Sequence, residues 1–419
     1  MQAKGWGQPN RNFLLGVYNG VLVNGGEAFF HSALVLAPFL AALGAPAWAI
    51  GLIPALRVGG WFLPQLFVAT RLAHVPFKLP LYRRTSTLRV IAFAVLTAAV
   101  FLVGNQPAIL VPLTLAMVLI NSFAGGVGGV PFADVTAKVV PHYRLGTFWA
   151  LRNGIGGALA LLSGLVLRRV LDSDLAFPSD FALVFLLGTL LTAGAYLAFA
   201  LVREPPGKIA LKQPLGGTLR RLPSVLRGDP SFRRYLRVRF LALAGLLAEP
   251  FYAVYAIDRL GAPASALGTY VIVATFASIA INFALRRPAD RGRNVDVLHV
   301  SIALLTVAPI VALVAGDWRT FALVFAFSAA GNSGMGIAAW NLLYAVSPAP
   351  QRPLYVGVAN SILALPSLAP VAVGALAALT GYPLLFGVAA AAAAASLAFS
   401  FRFSELRALD KAALDAAPQ

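Results

Sequence analysis

The chain has 419 residues, of which 59% are hydrophobic and 11% are charged, and its formal net charge is +18. Soluble proteins are roughly 45–50% apolar and about 25% charged, so this composition excludes an ordinary soluble protein and indicates a chain embedded in lipid. The sequence contains no cysteine, which excludes disulfides, thiolate metal sites and cysteine nucleophiles.

Apolar runs long enough to cross a bilayer predict an all-α membrane protein with twelve transmembrane helices. A transmembrane helix needs about 20 predominantly apolar residues. Runs of about this length lie near 13–42, 47–70, 88–106, 108–136, 146–170, 179–202, 234–257, 264–286, 297–316, 319–346, 354–379 and 382–402. Because this number is even, both chain ends are predicted to lie on the same side of the membrane.

The basic residues fix the predicted orientation. If the N-terminus is cytoplasmic, 28 of the 33 Lys and Arg residues fall on the cytoplasmic side, including all those from Arg71 to Arg89. Four fall on the other side, and only Arg57 lies within a span. Cytoplasmic segments carry an excess of Lys and Arg, so both termini are predicted to be cytoplasmic in an integral, multi-pass protein of the plasma or inner membrane. Basic residues confined to short connections do not form a face that binds nucleic acid.

The first span carries an acid, Glu27, near its midpoint, and the seventh span repeats this arrangement. Arg233 and Glu249 follow Arg11 and Glu27 by the same 222 positions (233 − 11 and 249 − 27). The tetrapeptide LGAP also follows both acids. These echoes predict two pseudo-symmetric six-helix bundles.

The predicted organisation has four parts. They are an N-terminal bundle at 1–202, a basic cytoplasmic linker at 203–233, a C-terminal bundle at 234–403 and a cytoplasmic tail at 404–419. In the first bundle, the fourth span ends in the run NSFAGGVGGVPFADV, whose glycines predict close backbone approach of a neighbouring helix.

Glu27 is the first candidate for a functional residue. A carboxylate at mid-bilayer costs about 2.5–3.5 kcal/mol even on a lenient scale, so it usually faces a cavity or a partner. Arg57 lies on the adjacent antiparallel span at a similar depth. It either binds an anionic group of the substrate or pairs with Glu27, and the pair is then structural, a switch or both. His31 follows Glu27 by four residues, which places both on one helical face and suggests a proton relay.

Glu249 is the second candidate. Pro250 follows it directly, removes a backbone hydrogen bond from the span and leaves a carbonyl unpaired nearby. The alternative is a tilted helix whose acid reaches the outer vestibule beside Asp258 and Arg259.

Four further residues near the same depths are candidates for the lining of a central cavity: Tyr252, Tyr255, Trp340 and Asn341. Aromatic residues in spans more often pack or anchor at the interface, and an asparagine often bridges helices. The four histidines are scattered without ligand spacing, so the sequence predicts neither a metal site nor a cofactor.

The chain resembles the major facilitator superfamily of secondary transporters over its whole length. The resemblance is carried by two sets of six spans, a basic central loop, cytoplasmic termini and the sequence similarity between the two halves. The sequence mark of this superfamily is a cytoplasmic G-x-L-A-D-R-x-G-R-like motif between spans 2 and 3, often repeated between spans 8 and 9. The second copy is partly present as Ala289, Asp290, Arg291, Gly292 and Arg293. The first copy is degraded, with His74 where the Asp would stand.

The resemblance implies a cytoplasmic gate in which the Asp caps a helix end and pairs with basic residues, so Asp290, Arg291 and Arg293 are expected there. It also implies two bundles that rock about a site near the membrane midplane.

In the first half, where the motif is degraded, Asp134 with Arg144 or Arg152 is expected to take over the gating role.

The sequence therefore predicts a secondary active transporter of a small organic solute, working by alternating access with proton coupling through Glu27, Glu249 or both. One alternative is a lipid or amphipathic-drug flippase or exporter of the same fold. The other is a membrane-embedded enzyme, for which no convergent nucleophile, base and metal are visible, so the protein is predicted not to be an enzyme.

The expected partners are a small-molecule substrate, protons and membrane lipids, and the protein is expected to be a monomer. A cavity with two acids and one arginine among aromatics and amides fits cations, zwitterions or amphipathic drugs better than multiply anionic phosphates.

Overall fold

The structure is a computed structural model. It describes residues 8–72, 75–141, 144–207, 226, 228–347, 355, 358–359, 362–363, 366, 369–402 and 408. Within these residues the chain is helical without strands, and eleven helices are long and apolar enough to cross a membrane. Part of the predicted span 354–379, residues 208–225 of the predicted linker and nearly all of the tail 404–419 lie outside the described residues, as does His74.

The described part of the first half of the chain forms seven α-helices. They are α1 (Gln8–Ala28), α2 (Ala37–Ala42), α3 (Ala47–Leu72), α4 (Leu79–Val103), α5 (Pro107–Val139), α6 (Leu145–Leu171) and α7 (Ser179–Ala200). A π-helical turn, Ser32–Leu36, precedes α2. α1 packs against α6 and α7, and α4 packs against α5 and α7.

The second half forms the remaining described helices. They are α8 (Pro230–Ala244), α9 (Glu249–Leu260), α10 (Ala266–Asp290), α11 (Asn294–Val314), α12 (Ala322–Val346), α13 (Ala369–Thr380) and α14 (Tyr382–Ser400). A 3₁₀ turn, Gly245–Ala248, joins α8 to α9. α11 packs against α12 and α14, α10 packs against α12, and α14 packs against α8.

The chain divides into two compact units. The first comprises the described residues within 1–45 and 56–214, and the second those within 46–55 and 215–419. Each unit has its own buried core, built around Phe148 and Phe199 in the first and around Phe232 and Leu342 in the second.

Both spans that carry an acid are interrupted at that acid. α1 ends at Ala28, directly after Glu27, whereas the sequence predicts one continuous span over 13–42. α9 begins at Glu249 and has a proline in its first turn, where the missing N–H of proline costs no hydrogen bond. The two acids therefore lie at helix ends, one at the C-terminal end of α1 and the other at the N-terminal end of α9.

Glycines bring α3 and α5 into close contact, as the small-residue run at the end of the fourth span predicts. A Cβ atom on Gly126 would lie 2.9 Å from the carbonyl oxygen of Gly60 and 2.8 Å from Cγ of Pro64. A Cβ atom on Gly60 would lie 2.8 Å from Cβ of Ser122. Such distances are too short for real Cβ contacts, so the predicted close approach is confirmed.

We expect Gly60→Ala to lower the free energy of unfolding by about 1–3 kcal/mol, because the added methyl group overpacks the contact with α5. Gly59→Ala is the matched control, since a Cβ atom there meets nothing within 4 Å. Alanine is favoured over glycine inside a helix by about 0.5–1 kcal/mol, so this control should be neutral or stabilising. Thermal unfolding in detergent measures both variants, and equal midpoints would contradict the close contact.

Candidate functional site

Two guanidinium groups hold the Glu27 carboxylate. Nη2 of Arg57, from α3, donates to Oε2 of Glu27. Nη2 of Arg89, from α4, lies 3.3 Å from Oε1 of the same carboxylate. The carboxylate therefore bridges two cations from two neighbouring helices.

Each arginine is also held by neutral acceptors. Nη1 of Arg57 donates to the backbone oxygen of Phe30 at 2.7 Å and to Oγ of Ser32 at 3.2 Å. Nε and Nη2 of Arg89 lie 3.4 and 3.3 Å from Oδ1 of Asn121, whose Nδ2 donates to the backbone oxygen of Arg89 at 3.2 Å. Both guanidinium groups thus keep anchors that do not involve the acid.

Aromatic rings flank the second arginine. The guanidinium carbon of Arg89 lies 4.8 Å from the ring centroid of Tyr196 and 6.0 Å from that of Trp61, within the range of cation–π attraction. Gly125 on α5 leaves space for the Arg89 side chain, because a Cβ atom on this glycine would lie 3.2 Å from Cζ of Arg89.

A cavity of about 340 Å³ adjoins this cluster. It is lined by Glu27, Arg57, Val58, Trp61, Phe62, Arg89, Asn121 and Ser122. The side chains of Glu27, Arg57 and Arg89 keep 27%, 21% and 14% of their accessible surface, so a solute in the cavity can reach them. A few convergent polar groups among apolar and aromatic walls are typical of small-molecule sites, whose volumes are about 300–1,000 Å³.

Sequence reasoning missed Arg89. The apolar run begins beside it, at position 88, and this assigns Arg89 to the cytoplasmic connection. The helix begins earlier, at Leu79, with Pro80 in its first turn, and Arg89 lies well inside it. Pro80 is the sequence signal that indicates this earlier helix start, because a proline is favoured in the first turn of a helix.

Glu249 has a different environment. It is half-buried in the first turn of α9, within a helical segment long and apolar enough to span a membrane. Among the described residues, no hydrogen bond or ion pair reaches its carboxyl group. The two acids that the sequence pairs by their spacing therefore differ, because two cations neutralise the first and no described cation neutralises the second.

Comparisons with known proteins show which solved structures share this fold. Neither a protein-family model nor a curated protein matches the sequence. An auto-inhibited peptide transporter of the POT family matches with a TM-score of 0.72 at 14% identity, over 93% of this chain and 96% of that chain. A D-xylose–proton symporter matches at 0.70 and 12% identity, over 95% and 98%. The nucleoside transporter NupG matches at 0.65 and 13% identity, over 96% and 99%.

The chain shares its fold with these transporters, as the resemblance to the major facilitator superfamily implies. Identities this low show the fold alone. With eleven apolar spans among the described residues, the protein is an integral, multi-pass membrane protein, and the structures that share its fold are membrane transporters rather than enzymes.

The expectation that His31 and Glu27 share one helical face is wrong. α1 ends before His31, whose backbone is extended (φ −60°, ψ 126°). The imidazole caps the following turn, because Nδ1 of His31 accepts a hydrogen bond from the backbone N–H of Leu34 at 3.3 Å. The spacing argument for a proton relay therefore fails, since it needs an unbroken helix.

Tyr252 lies in a cluster of aromatic rings. It is only 2% exposed, and its ring centroid lies 5.3 Å from that of Phe386 and 6.3 Å from that of Phe325. The half-buried Tyr255 packs against the same cluster, 5.2 Å from Phe386 and 5.5 Å from Tyr382. These contacts favour packing for Tyr252, and a cavity-lining role for Tyr255 stays a prediction.

Asn341 bridges two helices. Its Nδ2 donates to Oδ1 of Asn294, the first residue of α11, at 2.8 Å. This is the bridging role that the sequence left open. Trp340 beside it is 45% exposed, and its role in substrate binding stays a prediction.

Asp134, a predicted gate residue, belongs to a network of four charged side chains at the start of α4. Asp134 binds Nζ of Lys78 and lies 2.7 Å from Nζ of Lys138. Lys138 also lies 2.7 Å from Glu204, whose carboxylate accepts hydrogen bonds from the backbone N–H groups of Lys78 (2.9 Å) and Leu79 (2.8 Å). Glu204 therefore caps the start of α4, whereas Asp134 binds the two lysines.

The expected partnership of this aspartate with Arg152 is wrong. Arg152 points into the unit instead, where its Nη1 donates to the backbone oxygen of Gly16 and to Oδ1 of Asn19, both at 2.8 Å. It does so because α6 packs along α1, which places Arg152 beneath that helix. The guanidinium carbon of Arg144 lies 4.3 Å from the ring centroid of Phe13.

The second predicted gate segment forms local, exposed ion pairs. Asp290, the last residue of α10, lies 3.6 Å from Nε of Arg286. Arg293 lies 2.8 Å from Asp296, and Arg291 follows the end of α10. A gating role for this segment stays a prediction.

We expect Glu27→Gln to destabilise the protein, because it leaves two guanidinium groups without their shared anion. Breaking a fully buried pair costs about 3–5 kcal/mol, and these side chains keep 14–27% of their surface, so the loss should be smaller, about 1–3 kcal/mol. Arg89→Gln leaves one cation on the acid and should cost less. Thermal unfolding measures this order, and a Glu27→Gln variant as stable as the wild type would contradict the bridging role.

Proposed function

We propose that the protein is a secondary active transporter that moves a small organic solute by alternating access, with proton coupling. The fold supports this proposal, as do the transported peptides, xylose and nucleosides named for the structures that share it. One of those proteins is a proton symporter. In this proposal twelve spans form two six-helix bundles, 1–202 and 234–403, with both termini in the cytoplasm.

The cavity beside Glu27 binds the solute. It holds two guanidinium groups, a carboxylate and an amide within reach of one small molecule, and Trp61 and Phe62 supply apolar surface. Orientation by a few fixed polar groups is what such a site needs.

Glu249 carries the coupling proton in this proposal, which rests on the observation that, among the described residues, no hydrogen bond or ion pair reaches its carboxyl group. A carboxylate inside a membrane-spanning segment is costly without a counter-charge, and binding a proton removes that cost. Glu27 is less suited to this task, because the two arginines already neutralise it. A site that gains and loses a proton as its surroundings change can link proton movement to the rocking of the bundles.

The charged network around Asp134 acts as the gate of the first bundle on the side predicted to be cytoplasmic. It links the start of α4 to the end of α5 and to Glu204, which follows α7. Ion pairs of this kind can break and re-form as helices separate.

A flippase or exporter of amphipathic compounds is the second candidate, and a specific cavity favours it. A cavity of about 390 Å³ in the second unit has mostly apolar walls and two arginines. Its lining residues are Leu226, Arg233, Leu236, Arg237, Phe240, Leu241, Ile362 and Phe399. Such a surface suits an acyl chain with an anionic head group, because basic residues attract anionic lipids.

Solute uptake into proteoliposomes tests the leading proposal. A gradient of one pH unit corresponds to about 1.4 kcal/mol and supports about tenfold accumulation at one proton per solute. Symport accumulates solute in alkaline vesicles and antiport in acidic ones, so both gradients are applied. We expect Glu249→Gln to lose this accumulation but to keep solute exchange, because exchange needs no net proton movement.

Asp258→Asn is the matched control, since it removes an acid from the same helix. It should keep full accumulation. Gradient-driven accumulation in Glu249→Gln would contradict coupling through this residue, and movement of a labelled lipid instead of any water-soluble compound would favour the flippase.

Cysteine labelling tests the gate, because the natural chain has no cysteine. We expect Asp134→Asn to increase labelling of Ser122→Cys by a membrane-impermeant maleimide added on the cytoplasmic side, since the two lysines then lose the acid that holds them. Asp290→Asn should change labelling less, because exposed pairs contribute only about 0–1 kcal/mol. Unchanged labelling in Asp134→Asn would show that this network is not a gate.

A further inference from the structure

We infer that the cavity beside Glu27 selects organic solutes that carry one negative charge, such as monocarboxylates. This inference rests on the proposed transport function and names the substrate class of the same site. It depends on Arg89, which the sequence places outside the spans and the structure places in the cavity wall.

The charge of the cavity wall sets the charge of the solute. Of the described residues that line the cavity, three are charged, namely Glu27, Arg57 and Arg89. Their formal charges leave one positive charge uncompensated. An unpaired charge in a low-dielectric site is costly, so the cavity favours one added negative charge. A solute with one carboxylate brings the cluster to two cations and two anions.

The geometry leaves donors for that carboxylate. Among the described residues, no hydrogen bond or ion pair uses Nε of Arg57 or Nη1 of Arg89, while the other nitrogens bind Glu27 or neutral acceptors. A guanidinium group presents its N–H donors in a planar fork that matches a carboxylate. The solute can therefore bind beside Glu27 without displacing it.

The arginines are fixed before the solute arrives. Arg57 is held by the oxygens of Phe30 and Ser32, and Arg89 is held by Asn121. Groups held in place by neutral partners lose little freedom when they bind a ligand, which favours binding.

The walls indicate an apolar or aromatic body on the solute. Val58, Trp61 and Phe62 line the cavity beside the charged groups. The volume of about 340 Å³ is at the low end for small-molecule sites, so the solute is compact. This replaces the expectation of a cationic or zwitterionic solute, which counted one arginine where the cavity has two.

Binding to the purified protein in detergent tests the inference without any need for transport. The probes are benzoate, its neutral isostere benzamide and the dianion phthalate, with hexanoate, hexanamide and adipate as an aliphatic set. Heat stabilisation at increasing probe concentration gives the half-saturating concentration. We expect at least one monocarboxylate to bind roughly tenfold more tightly than its amide, the gain typical of hydrogen bonds to a charged group.

Charge-changing variants show whether this cluster sets the preference. Arg89→Gln brings the wall to zero charge and should abolish the preference for the carboxylate over the amide, whereas Arg89→Lys should keep it. Glu27→Gln raises the wall to two positive charges and should shift the preference from the monoanion towards the dianion. Arg84→Gln removes an exposed arginine from the same helix and should change nothing.

Equal binding of carboxylates and amides to the wild type would overturn the inference, as would an unchanged preference in Arg89→Gln. If Arg89→Gln does not fold, Glu27→Gln tests the inference: a shift of preference towards dianions supports it, and an unchanged preference overturns it. Charge-selective binding without uptake into vesicles would contradict the transport function and leave the inference standing. Uptake of neutral or cationic solutes that is unchanged in these variants would support the transport function and contradict the inference.

Discussion

The structure of the first unit depends on one electrostatic constraint, which is the placement of a carboxylate inside a membrane-spanning segment. Glu27 meets it by binding two guanidinium groups from two different helices. The position at the end of α1 places the carboxylate beside the interrupted backbone, where Phe30 and Ser32 offer oxygens to Arg57. Glycines on α3 and α5 then let those helices approach closely around the second arginine.

The second unit also places a carboxylate inside a membrane-spanning segment, but it gives that carboxylate a different environment. Glu249 follows a 3₁₀ turn and begins a new helix, and no described cation forms an ion pair with it. The repeat in the sequence therefore preserves the position of the acid but not its partners. In the proposed mechanism the first acid shapes a binding site and the second exchanges a proton.

Much of the architecture can be predicted from the sequence, because apolar length and the positions of prolines and acids are local properties. The spans, the two acids and the close approach of the glycine-rich helix follow from them. Arg57 could be placed beside Glu27, since antiparallel neighbours meet at similar depth. The i, i+4 pair of Asp134 with Lys138 was also available from helical periodicity.

Other features could not be predicted, because they depend on where a helix begins and on contacts distant in sequence. The apolar run starts at position 88, but α4 starts about two and a half turns earlier, at Leu79, with about 3.6 residues per turn. Glu204 reaches the start of α4 from 126 positions away, and no local pattern marks that contact. The break after Ala28 removed the spacing argument for His31.

The location of Glu249 in the first turn of α9 has a consequence for how a proton carrier is built. The backbone N–H of Glu249 donates to the oxygen of Leu246 in the preceding 3₁₀ turn, and Pro250 has no N–H, so neither backbone group is free to bind the carboxylate. A bound proton then takes the place that a counter-ion would hold. Because no described cation pairs with this acid, loading with a proton need not compete with loading of an anionic solute at the arginines of the first unit.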